Sequence, residues 1–333
     1  MKRKTLWILT ALVLAALFSC GGKSALDAFT VPAEASLWEF FKSKTAKAVE
    51  LRTAEDLEEL RKNPEGSFVL AEDISLDYVP FSAIESFNGT LDGQGHWIDG
   101  LAPEMGSDTV TCLFDTLGSE AVVKDLNVRI GILMDSDVPV HISGLAGSNN
   151  GTVRGCRIQS DIVWNDEVCT EPEPAIALQH YAPVAAYNGG TIADCTLQTG
   201  VNALGNVYGI VEENYGTVTN CDVDLNTNSC TNVSGLAYRN WEAIDGCWVS
   251  GQADTVTEFC CIARQNYAPI TNCRFDMWIN GPAGQGCSWS LSGFEGDGHS
   301  FDDSNTVNIS ELNNRAGNGA VGSGTVGGTG GNP

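Results

Sequence analysis

The stretch Gly209 to Val223, GIVEENYGTVTNCDV, recurs four more times without a gap: GLAGSNNGTVRGCRI at 144–158, PVAAYNGGTIADCTL at 183–197, GLAYRNWEAIDGCWV at 235–249 and CIARQNYAPITNCRF at 261–275. Its cysteines, Cys156, Cys195, Cys221, Cys247 and Cys273, are spaced 39, 26, 26 and 26, and Asn149, Asn188, Asn214, Asn240 and Asn266 keep the same intervals. The single 39 is one repeat plus a 13-residue insertion, placed around Trp164 to Pro174, where Asp, Glu, Pro and Cys169 break the pattern. A period near 26 with a short apolar strand in each third predicts a coil of three strands and three turns, each coil stacking on the last at ~4.8 Å. The fold class that follows is all-β: a right-handed parallel β-helix, a solenoid of about 26 residues per coil with a short N-terminal capping helix.

Stacking turns equivalent positions into ladders. Val153, Ile192, Val218, Ile244 and Ile270 lie three before each cysteine, and Ile158, Leu197, Val223, Val249 and Phe275 lie two after it. Strand alternation puts the cysteine and the residue two later on one face, so the cysteines read as small inward core residues and not as a disulfide chain. Cys261 and Cys287, again 26 apart, suggest a second ladder, and the bonding of Cys112, Cys169, Cys230 and Cys260 stays open. No Cys-x-x-Cys or Cys-His spacing points to a metal. The repeated asparagine is expected to bond to its equivalents along the stack and to free backbone amides.

The frame reaches towards the N-terminus. Ile98 to Leu101 and Val123 to Leu126 match the spacing of Val153 to Cys156, so Leu101 and Leu126 are expected to continue the cysteine column. The open end needs a cap, for which Thr53 to Arg61 is a candidate helix with Thr53 as N-cap. Residues 1–19 run from Lys2, Arg3 and Lys4 through an apolar stretch too short for a permanent span and read as a signal peptide. Leu17-Phe18-Ser19-Cys20 is similar to a lipobox, which makes Cys20 the expected lipidation site; the alternative is ordinary cleavage near Ala33-Glu34-Ala35. The expected organisation is signal peptide 1–19, tether 20–48, capped β-helix 49–310 and a Gly-rich flexible tail 311–333. Loss of the leader leaves 15 basic against 42 acidic side chains, a formal charge of −27. Such a surface disfavours nucleic acid, whose affinity comes from Lys and Arg neutralising phosphates.

Ala54 to Leu60, Phe68 to Ile74 and Phe87 to Ile98, followed by Gly144-Leu145-Ala146-Gly147, Asn149 and Gly151-Thr152-Val153, resemble bacterial surface proteins that carry GLUG repeats. The resemblance covers about residues 50–280 and implies a pectate-lyase-like β-helix and an exported, cell-envelope setting. It implies no activity: adhesins and secreted proteases both carry such repeats, and this chain has no His-Glu-x-x-His.

Two outward columns are candidate sites. Tyr215, Trp241 and Tyr267 each follow a ladder asparagine and are expected either to form a flat apolar strip for sugar rings, with Glu213, Arg239 and Gln265 alongside, or, with a Glu213–Arg239 pair, simply to reinforce the outside of the stack. Asp222, Asp224, Arg274 and Asp276 fall on one outward strand face about two rungs across, a catalytic alternative for a polysaccharide hydrolase or, with Ca²⁺ and the arginine, a lyase. The sequence reading is a non-catalytic binding or adhesion module for a glycan or surface-protein ligand, lipid-anchored, monomeric and needing no cofactor; a bare structural spacer is the third reading.

Overall fold

The computed structural model describes residues 48–102, 110–134, 140–164, 178–203, 205–254, 256, 258–280, 288–295, 304–311 and 322–325. Cys20, the leader, most of the tether, Cys169 and Cys287 lie outside them. The described residues build a parallel β-helix from three sheets, with nearly every strand pair parallel. One coil runs Thr191–Ala193, Thr196–Asn202, Gly205–Tyr208 and Val211–Asn214. The first strand belongs to a nine-stranded sheet of short strands and the second to a ten-stranded sheet of long strands. The last two enter a third sheet that bends in most coils, so what the repeat predicts as one strand is two there; in the coil of Glu258–Asn266 it is a single strand.

The registers reproduce the gap-free alignment. Val153, Ile192, Val218, Ile244 and Ile270 are successive partners, as are Ile158, Leu197, Val223, Val249 and Phe275, and all ten side chains are buried. Towards the N-terminus one expectation needs correction. Ile98 pairs with Val128, and the partner of Val123 is Leu91. Seven positions separate Leu91 from Ile98, but five separate Val123 from Val128. The two extra residues sit in the turn at Gln94 and Gly95, both left-handed (φ 50° and 79°), and gap-free matching cannot see them.

The corner between the short and long strands explains the residue before each cysteine. Asp125, Gly155, Asp194, Asn220, Gly246 and Asn272 all adopt φ between 50° and 67°. Only Gly, Asn and Asp visit that region at low cost. The bend turns the next residue inward: Cys156, Cys195, Cys221, Cys247 and Cys273 are buried free thiols. Each donates to the carbonyl two residues back, at 3.2 to 3.6 Å. Cys230 is likewise a free buried thiol, its pKa pushed up to about 12 by burial.

At the next corner the asparagines form the expected ladder. Asn149, Asn188, Asn214 and Asn240 each donate through Nδ2 to the Oδ1 of the asparagine above, at 2.8 to 2.9 Å. The Oδ1 atoms of Asn149, Asn214 and Asn266 also accept the backbone N–H two residues on, at 3.1 Å from Gly151 in the first case. Buried amides without these partners would cost about 1–3 kcal/mol each.

The N-terminal end is closed by a helical turn, Glu55–Leu57, continuing into a helix, Glu58–Lys62, with Leu57 and Leu60 buried. Thr53 and Asp56 exchange the reciprocal bonds of a capping box: Asp56 N–H to Thr53 Oγ1 at 3.4 Å and Thr53 N–H to Asp56 Oδ2 at 3.0 Å. Arg61 ties the helix to the first bent-sheet strand by donating to the carbonyls of Ala83, at 2.6 Å, and Ser82. At the other end Gly322–Thr325, within the segment expected as a tail, pairs antiparallel with Thr306–Glu311.

The third corner, from long strand to bent sheet, alone varies widely in length. Its connections contain 8, 5, 13, 2, 3, 3 and 8 residues along the chain. The 13-residue insertion falls here as the spacing predicts, since Val163 pairs with Asn202 and Leu178 with Gly205.

Candidate functional site

Tyr215, Trp241 and Tyr267 stack on successive coils, with ring centroids 5.7 Å apart at 10° and 3.9 Å apart at 7°. A fourth ring joins them: Tyr187 lies 5.1 Å from Tyr215 at 27°. It belongs to the column of Glu213 and Arg239, two positions earlier, and sequence reasoning missed it for that reason. The signal was Gly189, where the ladder position carries no side chain and the Tyr187 ring lies close beside it.

This geometry overturns the expected flat strip. Near-parallel rings with centroids this close must lie face over face, because coplanar neighbours would collide. The faces are spent on one another along the helix axis, and the column shows solvent its edges. Its polar neighbours are also engaged. Arg239 donates to Glu213 at 2.5 Å and to Gln265 at 3.0 Å, and the Tyr215 hydroxyl donates to Glu213 at 3.2 Å. The Glu213 bond holds the Arg239 guanidinium above its ordinary pKa against the cost of burial. The column reinforces the outside of the stack.

The long-strand sheet presents a different surface. Asp222, Trp248 and Arg274 are successive partners, as are Asp224, Ser250 and Asp276, so the four candidate residues share a face as predicted. They do not act as one group. Arg274 donates through Nε to Asp276 and lies over the Trp248 ring, 5.3 Å from its centroid. Asp276 also accepts from Trp248 Nε1 at 3.0 Å and Asn308 Nδ2 at 2.6 Å. Burial pushes the Asp276 carboxyl up, but the bonds from Asn308, Arg274 and Trp248 and the arginine charge together hold it below the usual range. A carboxylate so engaged has no proton to donate near neutrality.

Asp222 and Asp224 instead line a depression of ≈ 290 Å³ with Arg157, Gln198, Trp248 and Ser250. A second depression of ≈ 360 Å³ lies further along the same strands, lined by Asp161, Asn202, Asn226, Asn228, Gln252 and Asp254. Its hollow follows from Gly200, which stands in the column where Asp161, Asn226 and Gln252 carry side chains. Asn226 Nδ2 donates to Asp224 Oδ1 at 2.7 Å, tying the wall of one depression to that of the other, and the two side by side make up a trough. Trp248 and Trp278 stand on the same face, 43% and 50% exposed, the two most exposed tryptophans among the described residues. Sequence reasoning reached the first depression and missed the second, because Asn and Gln on an outward strand position look like ordinary solvated residues until a glycine opens space between them.

Among the described residues no cluster of three or more His, Cys, Asp or Glu side chains could hold a metal ion. None of their helices is long and apolar enough to cross a membrane. The fold defines the class, a parallel β-helix with a polar trough on its long-strand sheet. No protein-family model matches the chain, and no curated protein matches it either.

Proposed function

We propose that this protein is an exported β-helix, tethered to the cell envelope through Cys20, that binds glycans without cleaving them through the trough on its long-strand sheet. The observation that carries this reading is the make-up of the trough: amides and carboxylates, which bond to hydroxyls, beside two exposed indoles, which take the apolar faces of sugar rings. The engagement of Arg274 and Asp276 with each other argues against the four-residue catalytic reading. The edge-on stacking of Tyr215, Trp241 and Tyr267 moves the binding surface away from that column.

The test is a screen of the protein, expressed from residue 24, against immobilised neutral and acidic polysaccharides, reading retention together with release of reducing or unsaturated ends. Retention without product, lost in Trp248→Ala or Trp278→Ala and kept in Trp241→Ala, supports the reading. Product that disappears in Asp222→Asn replaces it with a two-carboxylate hydrolase. For the anchor, radiolabelled fatty acid should enter the wild-type chain in a bacterial host and not the Cys20→Ser variant.

A further inference from the structure

We infer that the trough selects glycans that carry no carboxylate or sulfate. The inference rests on the glycan-binding reading and adds the ligand class to it. Four carboxylates line the two depressions: Asp222 and Asp224 in one, Asp161 and Asp254 in the other. A carboxylate can only accept hydrogen bonds when ionised, so these positions call for hydroxyl donors, which neutral sugars supply in number. The amides of Gln198, Asn202, Asn226 and Gln252 donate and accept, which suits hydroxyls equally well.

The cations that could receive a uronate are few. Among the described residues Arg157 is the one basic side chain lining either depression, and it lines only the first; it donates to Gln198 at 3.4 Å and lies over the Trp97 ring, 5.7 Å from its centroid. Arg274, the next nearest on the face, is paired with Asp276. Asp254 accepts from Asn280 at 2.8 Å at the trough wall. A sugar carboxylate lowered into the second depression would face Asp161 and Asp254 with no basic side chain among its described lining residues, and repulsion of the wrong ligand is one of the two routes to specificity. The chain as a whole, at −24, adds a weaker, salt-screened field of the same sign.

The experiment uses the binders found in the screen, each paired with a counterpart that differs only at C6. A neutral glycan is oxidised to its uronate, and a uronan is reduced to its primary alcohol. Affinities are measured with EDTA present, at low and at high salt, for the wild type, Asp161→Asn/Asp254→Asn, and a charge-matched surface control, Glu58→Gln/Glu59→Gln. The expected result is a neutral member bound at least about tenfold tighter than its uronate, a gap that narrows in the trough variant and not in the control. The amide substitutions keep size and shape, so the variant should fold. A uronate bound as tightly as its neutral partner overturns the inference, as does a gap that the control closes equally, since the discrimination would then belong to net charge and not to the trough. Absence of any binder in the screen is a different outcome: it removes the glycan-binding reading itself, and this inference with it.

Discussion

Two corners of each coil are rigid in length and the third is not, and the contrast shows how this molecule divides its labour. From Asn149 onward the asparagine corner and the left-handed corner before each cysteine keep the same length and close on the same chemistry, a buried amide ladder in one and a Gly, Asn or Asp at φ near 50–67° in the other. The third corner runs from 2 to 13 residues. The three shortest connections there follow Asn202, Asn228 and Asp254, the residues that wall the larger depression of the trough. Register is therefore specified at two corners, while the third is free to change length without disturbing any ladder. A connection of the third kind adds only loop-closure entropy, which grows slowly with length.

The strongest way to break the comparison is to insert one glycine at each kind of corner. Between Asp194 and Cys195 it should abolish cooperative folding, because a one-residue slip sends every following side chain to the wrong face. Between Asn202 and Gly205 it should cost less than about 1 kcal/mol in urea unfolding. Equal effects would show that the third corner is as constrained as the others.

Within the rigid corners, Asn214→Ala should be the most costly of the ladder substitutions. It strands the Nδ2 of Asn188, the Oδ1 of Asn240 and the N–H of Gly216, all buried, and a loss of about 2–4 kcal/mol is expected from chemical denaturation. Asn220→Val should cost about 1–3 kcal/mol through its left-handed φ of 53°, and Asn220→Gly should be near neutral. A valine as stable as wild type would mean that the bend does not depend on the residue's conformational freedom.

The smallest effect separates the trough from the rest of the sheet. Asp276 is held below its ordinary carboxyl range when folded, so its stabilising contribution is present above that range and drains away as pH falls through the unfolded value to the lower folded one. Comparing urea midpoints at about pH 6 and about pH 3, Asp276→Asn should show a shallower acid loss than wild type, by under about 1 kcal/mol. An unchanged slope would mean that its three hydrogen bonds do not survive in solution.

Much of this was legible before any coordinates. The repeat named the inward columns from Val153 to Ile270 and from Ile158 to Phe275, the thiol core and the asparagine ladder, because a residue that must fit the same place in successive coils leaves the same letter at a fixed interval. The frame failed at Ile98, where two turn residues shifted the count without altering the apolar pattern. The outward columns were assigned to the correct strands and given the wrong character. Spacing placed Tyr215, Trp241 and Tyr267 in line, but whether a line of rings offers faces or edges depends on side-chain rotation about the stack, which no interval records.

The sequence by itself determined the solenoid, its period and what points inward, since burial inside a coil repeats a demand every 26 residues. Only the tertiary structure decided the surface. Gly200 opens a hollow between side chains that are distant in the chain, and Asp276 is engaged by Arg274, Trp248 and Asn308 from three different strands. Outward positions meet only the neighbours that stacking happens to supply, so their chemistry is a property of the assembled face and not of any one repeat.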